Sequence, residues 1–171
     1  ASTPIVPGLG LIISPRGSQT WMDPQHPGCL RPWVRPRLTP NPAMAFKDGR
    51  LFMPFGTPGG DMQVQAMVQM FLNVVEFGMD PQAAIEAPRV GSHSFPNSFW
   101  PHGYLPGRLN LESRMDPALV EQLKHLGHDV VFSDDWDSMY MGVMGAITVD
   151  TDAGLLRAGA DPRRDTYAIG R

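Results

Sequence analysis

The sequence contains a single cysteine, Cys29, among its 171 residues. One cysteine excludes a disulfide within the chain and a zinc site built from cysteine ligands. No helix start or histidine partner is evident around it, so we expect a packed or loop thiol rather than a nucleophile. The sequence also lacks an apolar run of membrane-spanning length and a secretory signal at its start. The formal net charge is only -3, which leaves no basic footprint for nucleic acid.

Several catalytic and metal-binding patterns are absent as well. The chain has no Gly-x-Ser-x-Gly elbow, no phosphate-binding glycine loop and no His-Glu-x-x-His pair. Residues 150–154 (DTDAG) predict a turn, because the downstream glutamate of a calcium loop is missing. The sequence therefore implies no cofactor and no metal. The five histidines lack metal-ligand spacing, and we assign no role to the two that bracket an aromatic loop: His26, His125 and His128, and the bracketing pair His93 and His102.

A glycine-rich turn connects an apolar strand to a long amphipathic helix at residues 55–61 (FGTPGGD). Two adjacent glycines, Gly59 and Gly60, free the backbone sterically and let the turn expose consecutive N–H groups. These groups lie at the positive end of the following helix, where a negative charge or a developing oxyanion is stabilised. Taken alone, the turn has two interpretations: an acyl-transfer site that uses backbone donors, or a tight strand-to-helix connection.

The region from residue 1 to 42 contains nine of the 18 prolines. One short apolar run, Leu9–Ile13, predicts a strand. The remainder, residues 14–42, predicts a long structured loop of the kind that often forms a lid or a site wall. It is not typical of disorder, because it contains four apolar groups that we expect to be buried: Trp21, Cys29, Leu30 and Trp33.

Residues 43–171 predict a layered arrangement of sheet and helices, and we expect the whole chain, 1–171, to form a single domain. A hairpin is predicted over 43–55, and further strands over 128–132, 145–149 and 155–158. Asp80-Pro81 and Asp116-Pro117 each provide an N-cap and a first-turn proline for a helix. Gly78 and Gly127 end the first and third helices. The side chains expected to face the core are Met67, Met70, Phe71, Val74 and Phe77 in the first helix, and Leu119, Val120, Leu123 and Leu126 in the third.

The order of motifs along the chain resembles the small subunit of the gamma-glutamyltranspeptidase family. An Arg-Pro element precedes a Pro-x-Met strand, a Lys-Asp-Gly turn and the Gly-x-Pro-Gly-Gly turn. A long helix follows, then an Ala-Ile-x-Ala-Pro-Arg segment (residues 84–89), a Gly-His before a strand, and a late Asp-Pro-Arg at 161–163. Gly8-Leu9-Gly10 resembles an earlier glycine turn of the family, so the resemblance covers nearly the whole chain.

This resemblance implies an α+β fold: a four-layer αββα sandwich of the N-terminal-nucleophile hydrolase type, completed by a large subunit from the same precursor. It implies acyl transfer on a small-molecule amide, with Gly59 and Gly60 as the oxyanion-binding residues. The region 1–42 would then be the site wall or lid. Asp161-Pro162-Arg163 matches a family mark that we interpret as structural. The compartment stays unknown, because a targeting signal would lie on the other subunit.

Two departures from the family pattern concern the nucleophile and the substrate. Family small subunits begin with a threonine whose free α-amine assists its hydroxyl, and Ala1-Ser2-Thr3-Pro4 does not match that start. We therefore expect a first segment that this sequence lacks. Gln19 takes the place of the family's substrate-binding acid, and Leu38-Thr39 replaces paired serines. Two further candidate substrate-binding residues are arginines near the same elements: Arg16 and Arg35. Arg37 is another added cation there.

These departures leave three functions open. The first is hydrolysis or transfer of gamma-glutamyl compounds such as glutathione through a threonine acyl-enzyme. The second is a same-fold amidohydrolase or acylase for another acyl group, such as an oxamate-like amide or a cephalosporin side chain. The third is a non-catalytic homologue. A neutral amide at Gln19 does not supply the ion pair that a substrate ammonium requires, which is the reason to keep the second function.

Overall fold

A computed structural model describes residues 4–170, and these form two compact units. The first unit comprises the chain up to Thr39 together with Pro96–Tyr104. The second comprises Pro40–Phe95 and the chain from Leu105 onward. No α-helix among the described residues is long and apolar enough to cross a lipid bilayer.

The first unit is built mainly from turns and loops. Its strands are short and antiparallel: β1 (Ile5–Val6) and β2 (Leu11–Ile12). The predicted strand over Leu9–Ile13 is therefore limited to Leu11 and Ile12. A 3₁₀ helix, Pro15–Gln19, follows and was not predicted.

The aromatic centre of the first unit is Trp21. Its ring stacks on His102 at 3.9 Å and on His26 at 4.1 Å between ring centroids. Cys29 is half-buried and pairs with Trp21 through an isolated backbone bridge. The expectation that all four apolar groups are buried is wrong for Leu30 and Trp33, which are exposed. Trp33 is in a turn with φ of 61°, and no described part of the chain covers its ring.

The described part of the second unit contains two sheets and three α-helices. Its elements in chain order are β3 (Ala43–Lys47), β4 (Arg50–Gly56), α1 (Met62–Val75), α2 (Pro81–Glu86), β5 (Val90–Ser92), β6 (Arg108–Glu112), α3 (Pro117–His125), β7 (Asp129–Ser133), β8 (Gly145–Asp150) and β9 (Leu155–Ala160). The first sheet is antiparallel with strand order β3-β4-β8-β9, and the second has the order β5-β6-β7 with β6 and β7 parallel.

Helix α1 supplies one side of the main apolar core, as its periodicity predicts. Met67 and Met70 are buried, while Phe71 and Val74 pack partly buried against the cluster. Their partners come from β4, α2, β8 and the segment before β8: Met53, Ala84, Ile85, Met144 and Ala146. The prediction for Phe77 is wrong, because α1 ends at Val75 and the Phe77 side chain is 71% exposed.

The other helices follow their predicted capping. Asp80 accepts hydrogen bonds from the N–H groups of Gln82 and Ala83, and Asp116 accepts one from Ala118. In α3, however, only Val120 is fully buried, and Leu126 is 75% exposed. Leu119 is also exposed. A nine-residue helix that packs on a three-stranded sheet buries fewer of its apolar side chains than their helical spacing predicts.

A cluster of buried charges lies between the sheets and α2. Arg163 donates to both carboxylate oxygens of Glu112 at 2.5 and 2.6 Å, and to Asp161 at 3.1 Å. Arg89 donates to Asp161 at 2.7 Å. Glu112 and Asp161 have no exposed surface, and the exposed fractions of Arg89 and Arg163 are 2% and 5%. We call these four residues the ionic cluster.

Arg114 adds a fifth charge at the edge of the ionic cluster. Its guanidinium donates to Glu112 at 2.9 Å and lies over the Trp136 ring, 3.6 Å from the centroid. Burial lowers the pKa of Arg89, and the charge of Arg163 acts in the same direction. Burial also acts to lower the pKa of Arg163, but hydrogen bonds and charges from Glu112 and Asp161 outweigh it and raise that pKa. Each arginine donates to a carboxylate of the ionic cluster, and a guanidinium keeps its charge in proteins.

Replacing Arg163 with methionine should destabilise the protein by about 3–5 kcal/mol, because Glu112 and Asp161 would keep buried charge with fewer partners. The matched control is Arg157→Met, which removes an exposed pairing with Asp150 at 4.0 Å. That change should cost less than about 1 kcal/mol. The free energy of unfolding from urea titration measures both. Equal losses in the two variants would show that the ionic cluster contributes no more than a surface pair.

Candidate functional site

The glycine turn lies where the sequence predicts it, between the end of β4 at Gly56 and the start of α1 at Met62. Gly59 has φ of 137° and Gly60 has φ of 59°, both in regions that side-chain-bearing residues rarely adopt. This explains why two consecutive glycines are needed here.

The carbonyl groups and the N–H groups of the two glycines differ in their hydrogen bonding. The carbonyl oxygens of Gly59 and Gly60 accept from Met62 and Gln63, at 3.2 and 3.3 Å, and so begin the first turn of α1. The N–H groups of Gly59 and Gly60 have no acceptor within residues 4–170. Both glycines are only half-buried. The two N–H groups precede a 14-residue helix, and backbone donors at the positive end of a helix are the kind that binds an anionic oxygen.

His93 is another polar group of the second unit, and its electrostatic neighbours include Asp61, which follows the glycine turn. The His93 ring makes an edge contact with Tyr140, and its Nε2 atom is buried with no hydrogen-bond partner among the described residues. Burial lowers the pKa of His93; the charge of Arg108 adds to this, and that of Asp61 opposes it. The imidazole is therefore neutral at pH 7. The sequence offered no signal for a role of His93, and we assign none.

Three of the five predicted substrate-binding residues are together in the first unit. Arg16 donates from Nη1 to the Thr39 hydroxyl at 2.6 Å and to the Gln19 side-chain oxygen at 3.2 Å. Gln19 is buried, and its amide nitrogen lies 3.2 Å from the Ser98 hydroxyl. We call these four residues the polar cluster. It combines one cation with amide and hydroxyl groups, a set suited to a carboxylate or a neutral polar group.

The other two predicted substrate-binding residues lie outside the polar cluster. Leu38 is 73% exposed, and Arg35 is exposed and forms no ion pair with any described residue. Their roles stay predictions. The sequence did not single out Ser98, and the only available signal was its position in the aromatic loop between His93 and His102.

His102 is held more tightly than its place in an apparently irregular loop suggests. Besides stacking on Trp21, its ring nitrogens face the carbonyl oxygens of Asn97 at 2.8 Å and Thr20 at 3.1 Å. The backbone N–H of Trp100 donates to the carbonyl of Ser18 at 2.7 Å. Residues 96–104 are thus fixed to the 3₁₀ helix and to Trp21, and this supports the position of Ser98 beside Gln19.

The family profile and the individual relatives that match this chain agree with each other. The family profile described as gamma-glutamyltranspeptidase matches residues 1–171. The glutathione hydrolase-like YwrD proenzyme of Bacillus subtilis (strain 168) is 35% identical, over 94% of this chain and 29% of the proenzyme. The oxamate amidohydrolase proenzyme of Klebsiella pneumoniae is 37% identical, over 97% of this chain and 30% of its own length.

A solved structure gives the same result for the fold. The cephalosporin acylase from Bacillus halodurans is similar with a TM-score of 0.79 and 28% identity, over 96% of this chain and 29% of that one. The chain thus spans about 30% of the length of each of these relatives. The mixed helix-and-sheet architecture is that of these proteins.

Proposed function

Because this chain belongs to the gamma-glutamyltranspeptidase family, we propose that it is part of an amide-bond hydrolase or acyltransferase that acts through a threonine acyl-enzyme. The threonine lies outside this sequence. Its hydroxyl oxygen bonds to the amide carbonyl carbon, and the carbonyl π electrons move to the oxygen. The oxyanion electrons then re-form the carbonyl as the C–N bond breaks, and the leaving amine takes the proton of the hydroxyl. Water, or an acceptor amine, adds to the carbonyl of the resulting ester; the ester C–O bond breaks as the carbonyl re-forms, and the threonine oxygen takes the proton that the water or amine loses.

The observation that carries this proposal is the pair of N–H groups at Gly59 and Gly60, which have no acceptor within residues 4–170. They are the donors for the tetrahedral oxyanion, and the dipole of α1 adds to their effect. Fixed backbone donors need no reorganisation when charge develops on the carbonyl oxygen. This is why an acyl-transfer site works here without a charged side chain.

The first candidate substrate is a gamma-glutamyl compound such as glutathione, and the glutathione hydrolase-like relative supports it. The polar cluster favours a second candidate, an amide whose acyl group carries no α-ammonium. Gln19 is neutral, and its side-chain oxygen already accepts from Arg16. The acyl part of oxamate contains no ammonium, and one relative is named an oxamate amidohydrolase. Another relative is named a cephalosporin acylase, so the side chain of a cephalosporin is a further candidate acyl group.

We further propose a large subunit from the same precursor, with which this chain completes a four-layer αββα sandwich. Exposed apolar side chains on the second unit support a covering partner. On α1, one face has Val64, Val68 and Leu72 at 61%, 51% and 41% exposure. On β3, Met44 and Phe46 are exposed by 68% and 63%. Apolar groups at this spacing are the kind that a neighbouring layer buries.

The oxyanion assignment is tested by Gly60→Val in the complete protein. The substitution should reduce turnover by on the order of 10²–10³, because it displaces a donor from the developing charge. The control is Gly154→Val. Its φ of 65° is close to that of Gly60, so the substitution strains the backbone similarly, and no atom lies near the added carbon. Turnover and subunit association are measured for both. An equal loss of turnover and association in Gly60→Val would favour a purely structural turn.

The substrate assignment is tested by Gln19→Glu. A carboxylate there should favour acyl groups with an α-ammonium, because it supplies the missing ion pair. We expect kcat/KM for L-γ-glutamyl p-nitroanilide to rise by roughly tenfold relative to glutaryl p-nitroanilide, mostly through KM. Gln25→Glu, in an exposed loop of the same unit, is the control. An unchanged ratio in Gln19→Glu would remove Gln19 from the substrate site.

Intact mass and N-terminal sequencing of the purified complete protein separate the enzyme from a non-catalytic homologue. We expect a chain that begins with threonine, produced by autocleavage of the precursor. Absence of a threonine-headed chain in the mature protein would contradict the acyl-enzyme mechanism and leave a binding or structural role.

A further inference from the structure

Thr57 connects the glycine turn to a part of the chain 86 residues away. Its side chain is buried, with an exposed fraction of 8% for the residue. The hydroxyl oxygen accepts from the Val143 N–H at 2.7 Å and donates to the carbonyl of Pro58 at 2.5 Å. One hydroxyl therefore satisfies a buried donor and fixes the carbonyl that precedes Gly59.

The backbones of the two segments are in direct contact beside Thr57. A methyl group built on Gly59 would lie 3.0 Å from the Gly142 Cα, and one built on Gly142 would lie 2.9 Å from the Thr57 hydroxyl oxygen. Gly142 also has φ of 71°. A side chain is thus excluded at both Gly59 and Gly142, and the Gly142 backbone packs directly against the glycine turn.

The segment 141–144 is itself held from its other side by the ionic cluster. Arg89 donates to the carbonyl oxygens of Met141 and Gly142 at 2.9 and 3.2 Å. Asp161 accepts from the N–H of Met144 at 2.7 Å. The chain of contacts therefore runs from buried charges, through segment 141–144, to the Thr57 hydroxyl and the glycine turn.

We propose that Thr57 is a positioning residue for the Gly59 and Gly60 donors, acting through segment 141–144. This inference rests on the proposed function, because it assigns Thr57 a part in acyl transfer. Gly59 and Gly60 have no side chains that could form stabilising contacts, so the orientation of their N–H groups depends on the backbone and side chains that pack against the turn. The two bonds of the Thr57 hydroxyl go to the backbone of Pro58 and Val143, and through them Thr57 determines where the two N–H groups point.

The test compares Thr57→Val and Thr57→Ser in the complete protein. Valine keeps the shape and loses the hydroxyl, whereas serine keeps the hydroxyl. For L-γ-glutamyl p-nitroanilide, or whichever of glutathione and oxamate the wild type hydrolyses, Thr57→Val should lower kcat roughly 10- to 100-fold with KM within about threefold. A misplacement of about 1 Å costs on the order of 10²-fold in rate. Thr57→Ser should retain most of kcat.

Thr148→Val is the matched control, because among the described residues the Thr148 hydroxyl makes one long bond, of 3.4 Å, to the Arg157 carbonyl in the same sheet. It should leave kcat unchanged. Melting temperatures of all variants separate loss of folded protein from loss of rate. A kcat of Thr57→Val equal to that of the control, per folded molecule, would overturn the positioning role.

Amide hydrogen exchange tests the contact without any substrate. Thr57→Val should speed exchange at Val143, which loses its acceptor, and at Met62, which reports on the turn; Thr57→Ser should not. If the wild type hydrolyses none of the amides, the proposed function fails while exchange still tests the contact. Faster exchange with unchanged kcat would limit Thr57 to a structural role. Unchanged exchange would overturn the contact itself.

Discussion

The ionic cluster is the constraint on which the second unit depends. Glu112 ends β6, Asp161 follows β9, and Arg89 lies between α2 and β5, so one set of charges joins both sheets to a helix. A buried charge is tolerated only while its partners are present, because its hydration is lost and must be replaced by hydrogen bonds. Every element that contributes to the cluster is therefore positioned relative to the others. Segment 141–144 binds Arg89 and Asp161, so its position is fixed by the ionic cluster as well.

Local sequence signals predicted the parts of the fold that local physics determines. The β3–β4 hairpin, α1 and the capped starts of α2 and α3 agree with the structure, because turn glycines, capping aspartates and helical periodicity act within a few residues. Strands β5 and β6 were missed. Each is short, and the residues that stabilise them are distant: Gln69 on α1 bonds the backbone of Val90, and Glu112 bonds Arg163. A short stretch of adjacent residues cannot show which distant side chains will bind its backbone.

The same limit applies to the candidate site. The glycine turn was identifiable because its motif is contiguous, and the order of motifs along the chain was sufficient to recognise the family. The contact between Thr57 and Val143 was not predictable, since nothing near either residue indicates the other. Likewise, Arg16, Gln19 and Thr39 were chosen by resemblance, but their mutual hydrogen bonds and the neighbouring Ser98 required the structure.

On the proposed assignment, chemistry and specificity depend on different kinds of group. Backbone N–H donors bind an oxyanion that every amide develops during acyl transfer, so they are indifferent to the acyl group. Side chains such as Gln19 and Arg16 can distinguish an ammonium from a neutral group, and a single substitution changes their charge. A family can therefore vary the acyl group by altering a few polar side chains while the glycine turn stays constant. The departures at Gln19 and Thr39, together with a retained Gly59-Gly60 pair, fit that division, because the contacts that hold the turn come from the Thr57 hydroxyl and the Gly142 backbone.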